Sequence, residues 1–354
     1  MKSAYLYRYR IPLYPELRLS KSITLRNREG LLIRLIEDGR EGWGEVAPLP
    51  SFSPETLREV ELLMPTLLQA LLAQHSLLAS PADSSHEVQV LVSNTSGLPA
   101  SIQFGISCAL RELQCGVMGV EETPYHRNTP VFLVDGVDFS NAGWSRLVER
   151  ISFSGSIGAG LQIKLKTGRD ALEVDVNRYQ RLIETFPGIA IRVDPNRRWS
   201  YESTLRFAQH IDQTRLAFLE EPCANMKENA CLAQYDGLPI ALDESTRETD
   251  FTLAAASWAK AIVIKPALQG LITQTETLVK KARALHIIPV FSSSFESSVG
   301  WGQVAWLANH HAPEIAPGLD TLSHMQQCVV RKGPVWHDRP VVPREDLSLL
   351  WCTD

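Results

Sequence analysis

Residues 4–11 and 31–36 are strand-like in their hydrophobic pattern, and 43–47 follow a charged, glycine-containing turn, so the pattern predicts an antiparallel three-stranded meander. The period then changes. Ser53, Pro54 and Glu55 supply an N-cap, a proline for the first helical position and a first-turn acid. Leu57, Val60, Leu62, Leu63 and Leu67 follow as a helical stripe. A second helix is predicted over 99–115, with Ile102, Ile106, Ala109, Leu110 and Leu113 inward. Residues 79–94 between them are polar and weakly patterned.

From about residue 130 short apolar runs alternate with amphipathic ones. Strands are predicted over 131–134, 161–166, 189–193, 216–219, 240–242, 261–264 and 287–291, with helices over 170–186, 200–210, 273–284 and 298–309. That alternation marks parallel βαβ units. Each run from the second onward closes on a chemically active residue: Lys166, Asp194, Glu220, Asp243, Lys265 and Ser292, spaced 28, 26, 23, 22 and 27 residues apart. In a (β/α)8-type barrel all strand C-termini form one rim, so these residues converge on one site. An open doubly wound sheet places its ligand at a single switch point and needs no such series. The expected fold is therefore a barrel preceded by a smaller α+β domain.

Composition narrows the function. The chain has 354 residues, 44% of them hydrophobic and 21% charged, with net charge −5. That is ordinary globular usage. Without a basic run beyond Arg197–Arg198, nucleic acid is not an expected partner. Six cysteines form no CxxC pair and are read as reduced. Arg8 and Arg10 interrupt the N-terminus where a signal peptide would be apolar, and no run of 18 apolar residues occurs, so no membrane partner and a cytoplasmic location are expected.

The carboxylates lie in VDPN (Asp194), FLEEP (Glu220, Glu221) and LDES (Asp243, Glu244). Three acids on successive strand ends, without cysteine or histidine, make an all-oxygen site suited to a hard divalent cation such as Mg2+. A lone acid there would more simply cap the next helix; three in series favour the metal. By strand alternation Glu221 and Glu244 point elsewhere, in supporting places. In IKLK, Lys164 and Lys166 share a strand face and point into the barrel mouth, and Lys265 in VIKP arrives from the opposite wall. Lys164 beside it, with partial desolvation, is expected to tune Lys166 toward a base. Lysines flanking a metal-bound carboxylate suit abstraction of its α-proton. His310 and His311 are adjacent, share no helical face, and fit a helix end rather than a metal pair. No GxGxxG or GxxxxGK[ST] phosphate loop occurs.

The ordered set KxK, DxN, EEP, DES and KP resembles the enolase superfamily, in its muconate-lactonising-like branch. The resemblance covers essentially the whole chain. It implies a (β/α)7β modified TIM barrel with an N-terminal α+β capping domain: cap 1–120, barrel 121–325, and a return segment 326–354 packing on the cap. It also implies Mg2+ held by Asp194, Glu220 and Asp243, with Lys166 as acid/base and Lys265 facing it. Within that branch, GWGEVAPLPSFSPET (residues 42–56), FSSSFESSVG (291–300) and PGLDTL (317–322) look like the o-succinylbenzoate synthase family of proteobacterial type. The first stretch would be a cap loop closing over the barrel mouth. Ser292, Ser294 and Gly318 would hold a succinyl carboxylate, although the serines equally suit a helix N-cap, and Arg192 resembles a position near the substrate. The implied partner is a small molecule; the oligomeric state stays open, since barrels of this branch are often octamers whereas synthases of this type look monomeric. The implied reaction dehydrates a hydroxycyclohexadiene carboxylate to an aromatic acid in menaquinone synthesis. N-succinylamino acid racemases and dipeptide epimerases share this architecture and would use both lysines for 1,1-proton transfer. A non-catalytic binding relative is disfavoured, because every expected ligand and both lysines are present.

Overall fold

The computed structural model describes residues 2–19, 23–74, 76–78, 97–119, 131–153, 160–334 and 336–353. The polar stretch 79–94 and the expected domain boundary at 120/121 lie outside the described residues.

The N-terminal part is a sheet of β1 (Lys2–Arg18), β2 (Thr24–Glu37) and β3 (Arg40–Val46), paired antiparallel with Tyr5 opposite Arg34 and Ile33 opposite Gly44. Two helices cover one face, α1 (Leu57–Leu72) and α2 (Ala100–Cys115). Period-two alternation splits β1 between two cores. Ala4 and Leu6 pack with Ile33, Val60, Met64 and Ile106 on the helix side. Tyr7, Tyr9 and Ile11 face the barrel and meet Val299, Trp301 and Val304. The cap sheet is thus buried on both faces, which fixes its register against the barrel.

In α2 the five expected inward residues are buried. In α1 the expectations need correction. Its N-cap is Thr56, in a reciprocal capping box with Glu59. Ser53 instead accepts the Leu49 N–H, and Glu55 accepts from Ser101, so Ser53 to Glu55 finish a loop rather than start a helix. The buried stripe is Val60, Met64, Leu68 and Leu71, while Leu62 and Leu63 are 71% and 44% exposed. A leucine-rich helix offers more than one stripe at helical spacing, and the cap selects which one faces the sheet.

The second part is built from β4 (Val131–Val134), α3 (Asn141–Phe153), β5 (Gln162–Lys166), α4 (Leu172–Thr185), β6 (Ala190–Asp194), α5 (Tyr201–Gln209), β7 (Leu216–Glu220), α6 (Met226–Gln234), β8 (Ile240–Leu242), β9 (Ala261–Ile264), α7 (Pro266–Gln269), α8 (Ile272–Ala284), β10 (Ile288–Phe291) and α9 (Ser298–His311). The seven strands are parallel and lie side by side in chain order. The segment after α9 closes the ring. Gly318 bridges Ser292 beyond β10, and the Asp320 carboxylate accepts the Leu133 N–H of β4 at 2.7 Å. Arg150 of α3 also binds Asp320, at 2.9 Å. This short segment stands in the place of an eighth strand, so the architecture is a (β/α)7β barrel.

The remaining chain forms β11 (Cys328–Val329), β12 (Val341–Val342) and β13 (Ser348–Cys352), and β13 pairs antiparallel with β1 as the fourth strand of the cap sheet. No helix among the described residues is long and apolar enough to cross a membrane.

Candidate active site

Strand order sets out the chemistry. Asp194, Glu220 and Asp243 end or directly follow β6, β7 and β8, three neighbours, and are 1–2% exposed. Lys164 and Lys166 lie on β5, on one side of the three, and Lys265 follows β9 on the other. Each lysine reaches inward to a carboxylate. Lys164 Nζ lies 2.6 Å from Glu220 Oε2 and 2.8 Å from Asp194 Oδ2. Lys166 Nζ lies 2.6 Å from the same Asp194 oxygen and 3.0 Å from Asn196 Oδ1, and Lys265 is ion-paired with Asp243.

The ionisations follow from this arrangement. Burial works against a charged Lys164, but Asp194 and Glu220 outweigh it and hold its pKa above the ordinary range. Lys265 is raised in the same way, burial being outweighed by Asp243 and Glu220. Burial also opposes ionisation of Asp194, yet Lys164 and Lys166 pull its pKa well below the usual carboxylate value. Glu220 goes the other way: burial and then the neighbouring Asp194 charge push it up. Of the three acids, Glu220 most needs an added positive charge.

Behind the carboxylates, Glu221 is fully buried and accepts the N–H groups of Asp243 at 2.7 Å and Ser245 at 3.1 Å, with Arg197 Nε at 2.6 Å. It holds the β8 end in place without facing the site. Glu244 touches Asn196 Nδ2 at 3.4 Å. Glu221, Asn196, Arg197 and Phe295 have φ of +37°, +48°, +60° and +62°, a backbone region that side chains disfavour. Such strain gathers where surrounding structure fixes a site.

Above the charges lies a concave cavity between the cap loop and the barrel mouth. Lys164, Lys166, Lys265 and Asn196 form its polar floor. Leu49 and Phe52 of the cap loop form one wall, and Ser292, Ser293, Ser294, Phe295 and Gly318 another. Phe52 sits over Lys265, its ring centroid 5.8 Å from Nζ, and its carbonyl accepts from Arg247 at 3.1 Å. The hydroxyl of Ser292 donates to Gly318 O at 3.1 Å, whereas the buried Ser294 Oγ has no hydrogen-bond partner among the described residues. Ser297 serves as the N-cap of α9.

Asp194, Glu220 and Asp243 lie beneath the lysines rather than in the cavity lining, and Arg192 is not brought to the cavity wall either. Its guanidinium donates to Gln162 Oε1 and Ala316 O at 2.7 Å each and lies over the Phe218 ring, and burial pushes its pKa down to about 10. Two residues back along a strand is the same face but one layer deeper in the barrel. Conversely, Asn196, Ser293, Asp320 and Thr321 line the cavity without having been singled out. Asn196 was visible as the N of VDPN, and the last two as part of PGLDTL.

The donor set fits a hard cation: three buried carboxylates on adjacent strand ends, one of them raised by its neighbour's charge. Among the described residues no three His, Cys, Asp or Glu side chains stand as a ready cage, because the carboxylate oxygens turn to the lysine ammonium groups.

Comparisons with known proteins agree with this geometry. Residues 1–113 match the family model described as MenC, N-terminal domain, and residues 161–344 match Enolase C-terminal domain-like. The o-succinylbenzoate synthase of Pectobacterium atrosepticum is 35% identical over 99% of both chains. The crystal structure of o-succinylbenzoate synthase from Thermosynechococcus elongatus, with Mg in the active site, superposes with a TM-score of 0.68 at 22% identity over 94% of this chain and 95% of that one. A dipeptide epimerase from Enterococcus faecalis superposes with a TM-score of 0.76 at 18% identity over all of both chains, so backbone shape does not separate the two activities. Sequence does: with full-length identity to a synthase and a matching N-terminal family model, the chain belongs to the o-succinylbenzoate synthase family.

Proposed function

We propose that this protein dehydrates 2-succinyl-6-hydroxy-2,4-cyclohexadiene-1-carboxylate to o-succinylbenzoate, with Lys166 as the acid/base. The observation that carries the reading is the placement of Lys166 and Lys265 on opposite sides of three buried carboxylates, both lysines lining one cavity that has a serine-lined wall. Asp194, Glu220 and Asp243 would hold Mg2+, which supplies charge stabilisation to a substrate carboxylate when bound.

Lys166, as the free amine, takes the proton from the ring carbon bearing the carboxylate. The ammonium so formed returns that proton to the hydroxyl group as its C–O bond breaks, so water leaves and the ring becomes aromatic. Asn196, 3.0 Å from Nζ, keeps the amine aimed. Lys265 stays an ammonium beside Asp243 and stabilises negative charge building on the substrate. The Ser294 hydroxyl, buried on the cavity wall without a partner among the described residues, is free to donate to the succinyl carboxylate, and Ser292 and Gly318 shape the same wall.

The test is appearance of the aromatic product by ultraviolet absorbance when the protein meets the cyclohexadiene with Mg2+. A folded, Mg2+-supplied protein that forms no product, but exchanges the α-proton of N-succinylamino acids, would replace the synthase reading with racemisation.

A further inference from the structure

Arg28 lies on β2 of the cap and is 2% exposed, yet among the described residues no carboxylate accepts a hydrogen bond from it. Its donors go to main-chain carbonyls. Nε reaches Phe295 O at 2.8 Å, Nη1 reaches Pro48 O and Glu29 O at 3.0 Å each, and Nη2 binds Ala47 O. Ala47 and Pro48 lead directly into Leu49 and Phe52, one wall of the cavity; Phe295 and the adjoining Ser294 belong to the other. A single rigid fork therefore grips both walls from behind.

The same barrel loop is held through its opposite polarity by Glu45 of β3, which accepts the N–H groups of Ser297 and Gly300 at 2.8 Å each. Cap cation and cap anion together take the loop's carbonyl and N–H groups. Burying a guanidinium whose hydrogen bonds go to main-chain carbonyls rather than to a carboxylate is costly, and a lysine, with donors radiating from one point, could not span both walls. The arginine thus answers a geometric need, the spacing of two loops.

We propose that Arg28 is a positioning residue that sets the gap between the cap-loop wall and the serine-loop wall, and thereby the affinity of the cavity for its substrate. The proposal rests on the assignment of that cavity to the cyclohexadiene dicarboxylate.

Full-length wild type, R28K and R28A are assayed with that substrate and Mg2+, with folding followed by circular dichroism. KM is expected to rise about tenfold or more in both variants, equivalent to about 1.4 kcal/mol or more, with a smaller change in kcat. A few millimolar guanidinium should lower KM again in R28A, and leave unchanged both wild type and R34A, whose arginine pairs with Glu41 at the cap surface. A merely structural role predicts the reverse: kcat falling with the folded fraction, KM constant, no rescue. That result, or the failure of both variants to fold, overturns the proposal. An inactive wild type would overturn the substrate assignment as well, which an active wild type with unmoved KM in the variants would not.

Discussion

Lys164 Nζ lies 2.6 Å from Glu220 Oε2, and the same ammonium reaches Asp194 at 2.8 Å, so it is held between two buried acids. Lys166, two residues on, touches only one of them and has Asn196 as its other partner. Both lysines of this strand face line the cavity, but Lys164 is engaged by two acids and Lys166 by one acid and one amide.

Lys166→Ala is accordingly expected to lower turnover by about a thousandfold or more, within the range for loss of a general acid–base, while leaving the thermal midpoint within a few degrees of wild type. Ultraviolet turnover and calorimetry on the same sample check it. Wild-type turnover in this variant would remove Lys166 from the acid/base role.

The carboxylate cluster makes a separate prediction. Chelation of divalent ions should abolish turnover and Mg2+ restore it. Mg2+ should also raise the thermal midpoint of wild type, since a ligand that binds only the folded state stabilises it by mass action. In Glu220→Gln the central carboxylate is lost, and the Mg2+-dependent rise should shrink or vanish. An equal rise in both proteins would place the cation elsewhere.

Much of this site was legible because a parallel barrel turns linear spacing into convergence: Lys166, Asp194, Glu220, Asp243 and Lys265 needed only to end successive strands. What spacing cannot convey is depth. Arg192 shares a strand face with Asp194 yet lies a layer below the cavity, against Gln162 and Ala316. Nor does a leucine-rich helix announce which stripe it buries; Leu62 faces solvent and Met64 the core because the cap sheet lies on one side. Arg28 was silent for a third reason. Its partners are backbone carbonyls far away in the chain, and carbonyls carry no sequence signal.

The contact between β3 and α2 leaves no room for side chains. A Cβ on Gly44 would lie 1.8 Å from Gly105 O, and one on Gly42 would lie 2.0 Å from Ala109 O. Because these obstacles are helix backbone, no rotamer relieves them. Gly44→Ala should push α2 off the sheet and destabilise the cap by about 3 kcal/mol or more, with most of the protein recovered unfolded or aggregated. A variant of wild-type thermal midpoint and solubility would contradict this packing.

Glu296 gives the clearest dependence on pH. It is buried just before the N-cap of α9, one carboxylate oxygen has no partner among the described residues, and burial, with Glu45 adding to it, pushes its pKa up to about 7 despite the nearby Arg28. A carboxyl raised on folding binds its proton more tightly in the native state than in the unfolded one. Its stabilising contribution is therefore full below the unfolded value, about 4.3, declines as pH rises toward 7, and is absent above that. Glutamine keeps the neutral form at every pH. The difference in stability between Glu296→Gln and wild type should therefore move in favour of the variant between pH 4.5 and about 8, by up to roughly 3 kcal/mol. Thermal midpoints of the two proteins measured across that interval read the change directly, since titrations common to both cancel. A constant difference would mean that Glu296 is ionised in the fold, with its unpartnered oxygen satisfied by water.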